Sequence, residues 1–383
     1  MAPTARPVGG RPGTRIGIQQ VAERAGVAPS SVSRVLSGHP NVSAVMRNRV
    51  VDAVAALGYE PDLLAQSLRT RATMTVGFVV GNISNPLLSE IALGAETTLR
   101  TAGYSMLLAN SMDNPELDCS HVRLFAQRRV DGLLLSLSDE LSPGTNEALE
   151  KVTFPLVLVD RELRAGGHAS AVLADHSAGI AAAARHLAAL GHKKVALVNG
   201  RPTVRPARER ATTLRRVCRQ LGVACTVRSG TFTTEHGERA TAALLAEAEP
   251  PSAVIAGSNQ ILVGVLRALR TTGCRVPIDI SVVTCDEVPL SEFLVPPLAT
   301  IQRDPYQMGA IAANLLLELL AGELPRTQSV PTSFHPTSSC APPRTAPPKT
   351  EPPKTAPSKT APSKTAPSRR PPGANLSEDD IAS

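Results

Sequence analysis

Aromatic residues are scarce in this chain, which has no tryptophan, three tyrosines and six phenylalanines among 383 residues. Aromatic side chains are common contact surfaces in ligand pockets. A pocket built from this sequence therefore offers few rings on which a sugar could stack.

Paired cysteines and long apolar runs are lacking as well. The six cysteines are scattered, with no Cys-x-x-Cys pair and no histidine at metal-binding spacing, which favours a reducing compartment and argues against a structural metal. The first 14 residues have no apolar core of a signal peptide, and no apolar run approaches membrane-spanning length. We therefore expect a soluble cytoplasmic protein that contacts no membrane and needs no metal or cofactor.

Basic charge is concentrated at the two ends of the chain. Of the formal net charge of +7, the first 71 residues contribute +5, the last 43 contribute +3 and the segment between them −1. A near-neutral body with two basic arms indicates a polyanionic partner for at least one arm.

The C-terminal arm is a repeat of five residues. Residues 345–369 repeat Thr-x-Pro-x-Lys or its arginine variant, and proline at this density blocks helix and sheet and favours an extended chain. Because no large apolar residue recurs, this segment cannot build a core. We predict a disordered Pro/Lys-rich tail.

Residues 18–37 carry the pattern of two short helices that cross closely. Small apolar residues line the first helix, Gly26 follows at a sharp turn, and Pro29 fits the first turn of the second helix. Val32 and Val35 give the second helix a narrow apolar stripe and leave its polar face free for a major groove.

A third helix follows at once. Ser43 can cap it, and Val50, Val54 and Leu57 recur at helical spacing. Two short helices alone could be an ordinary hairpin, but three helices with a basic balance in fewer than about 60 residues favour a DNA-binding headpiece.

These residues resemble the LacI/GalR family of repressors. The matching runs are Ile18–Val27, Val32–Leu36, Asn41–Ser43, Arg47–Val50, Leu57–Pro61 and Leu64–Arg69. The resemblance continues to about residue 335. It implies a repressor at the nucleoid that binds palindromic double-stranded operator DNA as a homodimer, under control of a small-molecule effector, a sugar or related metabolite.

The resemblance also implies the domain plan and the DNA contacts. The plan is a disordered arm at 1–14, a helix-turn-helix domain at 15–60, a hinge helix at 61–72, a two-lobed effector-binding and dimerisation body at 73–340 and the tail at 341–383. The expected DNA-binding residues are Pro29, Ser30, Ser31, Ser33, Arg34, Arg47, Gln66 and Leu68. Arg34 stands where the family reads a base, and arginine pairs bidentately with guanine. Leu68 stands where the family inserts a leucine into the minor groove, although it could simply pack between domains.

The body alternates short apolar runs with helical stretches. The predicted strands are 75–80, 105–109, 132–137, 156–159, 171–173, 195–198, 253–256 and 281–284. Such alternation predicts an α/β fold with parallel sheets, and the number of strands favours two lobes. The body resembles periplasmic sugar-binding proteins, in which the chain crosses between the lobes more than once. Ligands of such folds bind at the carboxyl ends of strands.

Six residues stand at the family's effector-binding positions. They are Leu87, Leu88, Asp160, Arg210, Ser258 and Asp286. The two leucines replace aromatic residues that are common there, and Ser258 stands where an asparagine is usual. An aspartate at the end of a strand can also be a helix cap or a surface ion pair.

The loss of aromatic and amide groups leaves two interpretations. Either the effector is less sugar-like than is usual, or the protein is a constitutive DNA-binding regulator with a degenerate effector pocket. An enzyme is disfavoured, since the sequence has no nucleophile elbow, phosphate-binding loop or dinucleotide fingerprint. An exported sugar receptor would need a signal peptide.

Overall fold

The computed structural model describes residues 16–36, 38–59, 72–163, 169–286 and 293–344. The predicted arm at 1–14, the hinge residues Gln66 and Leu68, and the repeats from residue 345 lie outside the described residues.

Three helices form the N-terminal segment: α1 is Ile18–Ala25, α2 is Pro29–Leu36 and α3 is Ala44–Leu57. Gly26 ends α1 with a left-handed backbone at φ 63°, which glycine adopts without steric cost. The Ser43 side chain caps α3 by accepting a hydrogen bond from the amide of Met46. Val21, Val32 and Val50, one from each helix, are fully buried and form the centre of a small core.

The body contains twelve strands within the described residues. They are β1 (Thr75–Val80), β2 (Ser105–Asn110), β3 (Gly132–Leu135), β4 (Leu156–Val159), β5 (Ala169–Ala174), β6 (Lys194–Asn199), β7 (Ala224–Ser229), β8 (Ala253–Ala256), β9 (Ser281–Cys285), β10 (Ala299–Gln302), β11 (Thr327–Val330) and β12 (Ser333–His335). The helices of the same part of the chain are α4 (Pro86–Thr101), α5 (Pro115–Arg128), α6 (Pro143–Glu150), α7 (His176–Ala189), α8 (Arg205–Leu221), α9 (Thr234–Leu245), α10 (Asn259–Thr272) and α11 (Pro305–Leu320).

The strands form two six-stranded sheets, one in each lobe. The sheet of lobe 1 has the order β11-β5-β4-β3-β1-β2, and that of lobe 2 has the order β12-β10-β9-β8-β6-β7. All pairs are parallel except β10 with β12. Helices α4, α5, α6 and α11 belong to lobe 1, and α7 to α10 belong to lobe 2. The α/β architecture with a helix-turn-helix segment and two lobes confirms the predicted fold class.

The chain crosses between the lobes three times: from β5 into α7, from β10 into α11, and from β11 to β12. His176 begins the helix after the first crossing, and Arg303 lies on the second. Polar residues of the crossings therefore lie at the boundary between the lobes. Within the described ranges, no helix is long and apolar enough to cross a membrane.

Helices α4 and α11 pack closely because each has a glycine at the contact. A Cβ atom on Gly309 would lie 1.9 Å from the Ile91 carbonyl oxygen, and one on Gly94 would lie 2.1 Å from that of Tyr306. Both neighbours are backbone atoms, which cannot move aside as a flexible side chain can.

We expect Gly309→Ala to lower the free energy of unfolding by about 1–3 kcal/mol, because the added methyl group overpacks the α4–α11 contact. The matched control is Gly144→Ala in α6, where the nearest atom to a Cβ, the Cys119 sulfur, is 3.9 Å away. Urea denaturation should find the control unchanged or slightly more stable. Equal stability of the two variants would contradict close packing at Gly309.

Candidate functional site

The exposed face of α2 holds most of the predicted DNA-binding residues. Val32 and Val35 are buried, whereas Ser30 and Arg34 are exposed and Ser33 is half-buried. Ser30, Ser33 and Arg34 are spaced i, i+3 and i+4 and share one side of the helix. The sequence thus places a polar surface opposite the stripe that anchors α2.

The remaining predicted contacts of this segment lie on α2 and α3. Pro29 is exposed at the start of α2, Ser31 is half-buried, and Arg47 is half-buried on α3. Arg49 has a structural contact, since its Nη2 atom donates a hydrogen bond of 3.3 Å to the Gly26 carbonyl oxygen. It therefore fastens α3 to the turn between α1 and α2.

Two buried aspartates end strands in the two lobes. Asp160 follows β4 in lobe 1, and Asp286 follows β9 in lobe 2; their φ angles are 54° and 69°. Few residues with a Cβ atom adopt this left-handed backbone, and aspartate is among those that tolerate it best. The turn ends each strand with a carboxylate at the boundary between the lobes.

Arg303 contacts both carboxylates. Its Nη1 atom pairs with Oδ2 of Asp160, its Nε lies 3.0 Å from Oδ1 of Asp286, and its Nη2 donates a bond of 3.4 Å to Oδ2 of Asp286. All three side chains are at most 7% exposed. One guanidinium thus joins a carboxylate of lobe 1 to one of lobe 2.

Two further side chains contact Asp160, and the amide of Ala174 donates a bond of 3.2 Å to its Oδ1. His176 Nε2 lies 3.0 Å from Oδ2, and Arg205 Nη1 lies 3.2 Å from Oδ1. Burial by itself would raise the pKa of Asp160, but the neighbouring His176 and Arg303 hold it well below its usual range. Burial, with the charges of Arg210 and Arg303, lowers the pKa of His176 to about 4 although the carboxylate opposes this. His176 is therefore neutral at neutral pH.

Arg210 approaches Asp286 from α8. Its Nη2 lies 3.7 Å from Oδ2 of Asp286, and its Nη1 donates a bond of 2.6 Å to the carbonyl oxygen of Gly257. The next residue, Ser258, caps α10 by accepting a bond of 3.2 Å from the amide of Ile261. We call Asp160, His176, Arg205, Arg210, Asp286 and Arg303 the cleft cluster.

Direct contacts also join the lobes on either side of the cleft cluster. Glu140 of lobe 1 accepts bonds from the Arg205 amide (2.8 Å) and from Nη1 of Arg208 (2.7 Å), both on α8 of lobe 2. On the other side, Nδ2 of Asn259 donates a bond of 2.8 Å to Oδ1 of Asn85. The two lobes therefore touch at these two places as well as at the cleft cluster.

Comparison with known proteins assigns both parts of the chain. Residues 17–62 match the model of bacterial regulatory proteins of the lacI family, and residues 184–340 match that of a periplasmic binding protein-like domain.

The repressor PurR of Haemophilus influenzae is 31% identical over 305 residues, which are 79% of this chain and 90% of that protein. The ribose operon repressor of Halalkalibacterium halodurans is 30% identical over 79% of this chain and 89% of that protein. A crystal structure of the Lac repressor dimer bound to operator and an anti-inducer is 26% identical, with a TM-score of 0.76 over 86% of this chain and 100% of that chain.

The chain belongs to the LacI family of bacterial regulatory proteins. It is a helix-turn-helix transcriptional regulator with a periplasmic-binding-protein-like body, as the sequence predicted.

In this LacI-family regulator, three of the predicted effector residues, Asp160, Arg210 and Asp286, lie in the cleft cluster. Ser258 is its neighbour, with the hydroxyl used as a helix cap. Leu87 and Leu88 are half-buried at the start of α4, packed against the core of lobe 1. An effector role for these six residues stays a prediction.

Sequence reasoning missed His176, Arg205 and Arg303. None of them follows a predicted strand directly: two lie on or beside crossings, and Arg205 begins a helix. Charged residues at the points where the chain changes lobe would have been the signal, but periodicity does not locate a crossing.

We expect the regulator to lose stability as the pH falls from 6.5 to about 4, because the unfolded chain binds a proton at His176 in this range and the folded protein does not. The loss from this residue amounts to at most about 3 kcal/mol. Urea denaturation at several pH values should give a smaller loss for His176→Gln, which keeps a hydrogen-bond donor without a titrating group. Parallel curves for the two proteins would mean that His176 titrates normally.

Proposed function

We propose that this regulator represses transcription by binding a palindromic operator as a homodimer, and that a small polar ligand in the cleft changes its operator affinity. The observation that carries the proposal is the pairing of an exposed polar helix face with a two-lobed body whose boundary holds buried charges. The Lac repressor structure, a dimer on its operator with an anti-inducer, supports the same plan. We propose further that the protein acts on DNA of the nucleoid and catalyses no reaction.

The exposed face of α2 is the proposed base-reading surface. Arg34 would enter the major groove and pair with a guanine, while Pro29 and Ser30 set operator preference. Ser31 and Ser33 would add further DNA contacts from the same helix. Arg47 would add a contact from α3, and Gln66 and Leu68 complete the proposed set outside the described residues.

We expect Arg34→Ala to weaken binding to the cognate operator by about 1–3 kcal/mol and to affect random DNA little, because a base contact is lost. The matched control is Arg24→Ala, which removes the same charge from the exposed surface of α1 and should change binding to both DNAs alike. Fluorescence anisotropy at fixed salt measures both affinities. Equal losses on the two DNAs for Arg34→Ala would make Arg34 a phosphate contact.

The proposed effector is a sugar or related metabolite that contacts Asp286 and Arg210. Ligand binding would change the angle between the lobes, and its effect on the operator cannot exceed its differential affinity for the two lobe arrangements. Couplings of about 1–3 kcal/mol, or 5- to 150-fold, are ordinary for such systems. We propose induction as the direction.

A thermal-shift screen of sugars, sugar phosphates and purines should find a ligand that weakens operator binding several-fold. Asp286→Asn should abolish that response, because it removes the carboxylate that the ligand is proposed to contact. Asp279→Asn, at an exposed ion pair with Arg275 in lobe 2, is the control that should respond normally. Absence of a ligand, with unchanged operator binding by Asp286→Asn, would instead favour the constitutive regulator.

A further inference from the structure

Arg303 lies where a bound effector is expected to lie. The two carboxylates that the sequence assigns to a ligand, Asp160 and Asp286, both pair with its guanidinium. The Arg303 side chain is 5% exposed, so it is enclosed by the lobes rather than extended into solvent.

We propose that Arg303 is an internal occupant of the cleft, which takes the place of a ligand between Asp160 and Asp286 and holds the lobes together when no small molecule is present. This inference goes beyond the proposed function, because it concerns the ligand-free protein and holds whether or not an effector binds.

The chemistry of arginine suits this role. A guanidinium presents a planar set of donors that point in different directions, so one side chain can serve two acceptors at once. In Arg303, Nη1 serves Asp160, while Nε and Nη2 face Asp286. Lysine offers a single charged atom and cannot reproduce both contacts.

The position of Arg303 in the chain makes the contact a link between lobes. It follows β10 directly, and β10 pairs with β9, the strand that Asp286 ends. Asp286 therefore holds the guanidinium from within lobe 2 and directs it at Asp160 of lobe 1. Separation of the lobes would break the Asp160 contact, and a buried charge loses most when it is deprived of a partner.

Arg205 is the rival link, since it also reaches Asp160 from lobe 2. Its Nη1 also donates a bond of 2.9 Å to the Ala174 carbonyl oxygen, and its Nε lies 3.1 Å from Oε1 of Glu162, both in lobe 1. Its Nη2, however, pairs with Glu209 Oε1 on its own helix at 2.6 Å, and the Glu162 side chain is 49% exposed. Arg208 reaches Glu140 from a side chain that is 38% exposed, and pairs that face solvent contribute little. The contact of Arg303 with Asp160 is better enclosed than either of these.

Two backbone amides report directly on lobe separation. The amide of Glu140 donates a bond of 3.3 Å to the Thr203 carbonyl, and that of Arg205 donates one of 2.8 Å to Oε1 of Glu140. Each bond joins the two lobes. Amides inside β3 and β8 bond within one sheet and report on folding instead.

Hydrogen exchange of the full-length, ligand-free protein tests the proposal. In Arg303→Met we expect exchange at the Glu140 and Arg205 amides to become about tenfold faster, with the amides of β3 and β8 unchanged. Arg326→Met, which breaks a pair with Glu318 inside lobe 1, is the matched control and should exchange as the wild type does. Arg303→Lys should give an intermediate rate.

Unchanged protection of the two reporter amides in Arg303→Met would overturn the proposal. So would faster exchange in Arg205→Met without any in Arg303→Met, because Arg205 would then be the link. If Arg303→Met also speeds exchange at the amides of β3 and β8, the variant is unfolding as a whole. The milder variants Arg303→Gln and Arg303→Lys then test the proposal through exchange at the same Glu140 and Arg205 amides. The experiment contains neither DNA nor ligand, so its failure is distinct from failure to find an effector.

Discussion

A guanidinium between two buried carboxylates joins the lobes of the body. Charges at this depth are tolerated only when they are paired and hydrogen-bonded. The amide of Ala174, in the same sheet, donates a bond of 3.2 Å to Asp160, but the basic side chains that contact the carboxylate, His176, Arg205 and Arg303, come from beyond that sheet. The closed arrangement of the lobes and the ionised state of Asp160 therefore depend on each other. A change that weakens one weakens the other.

The topology brings these groups together. Parallel strands place their carboxyl ends at one edge of a sheet, and the two sheets present these edges to each other. The crossings add His176 and Arg303, which lie where the chain passes from one lobe to the other. Contacts made by these residues change when the angle between the lobes changes, whereas contacts between residues of one sheet do not.

The sequence predicted the buried strands best. The apolar runs at 75–80, 156–159 and 253–256 coincide with β1, β4 and β8, which are buried along nearly their whole length. Strands β7, β10, β11 and β12 were not predicted. Strands β7, β11 and β12 lie at sheet edges with exposed residues and have no continuous apolar run. Strand β10 has the sequence Ala-Thr-Ile-Gln, in which polar residues likewise interrupt the apolar ones.

The residues of the candidate site also divide into those that the sequence could predict and those that it could not. Asp160 and Asp286 could be predicted because each ends a recognisable strand, and Arg210 because it matches a family position. The role of Arg303 could not be predicted, because Arg303 and Asp160 are far apart in the sequence and meet only when the two lobes pack together. The helix-turn-helix segment was the easiest part, because its glycine turn, caps and apolar spacing are all local.

The Arg303 guanidinium lowers the free energy that a ligand can gain by binding between Asp160 and Asp286. In an empty cleft, a ligand gains the full value of its contacts with the two carboxylates. Here those carboxylates already have a partner, so a ligand gains only the difference between its contacts and those of Arg303. Its apparent affinity is its intrinsic affinity multiplied by the fraction of molecules in which the guanidinium has moved aside. The scarcity of aromatic residues removes the stacking that could compensate a neutral sugar. Such a cleft selects for a ligand whose own charges engage the cleft cluster, because only charge-assisted bonds match those that must be broken.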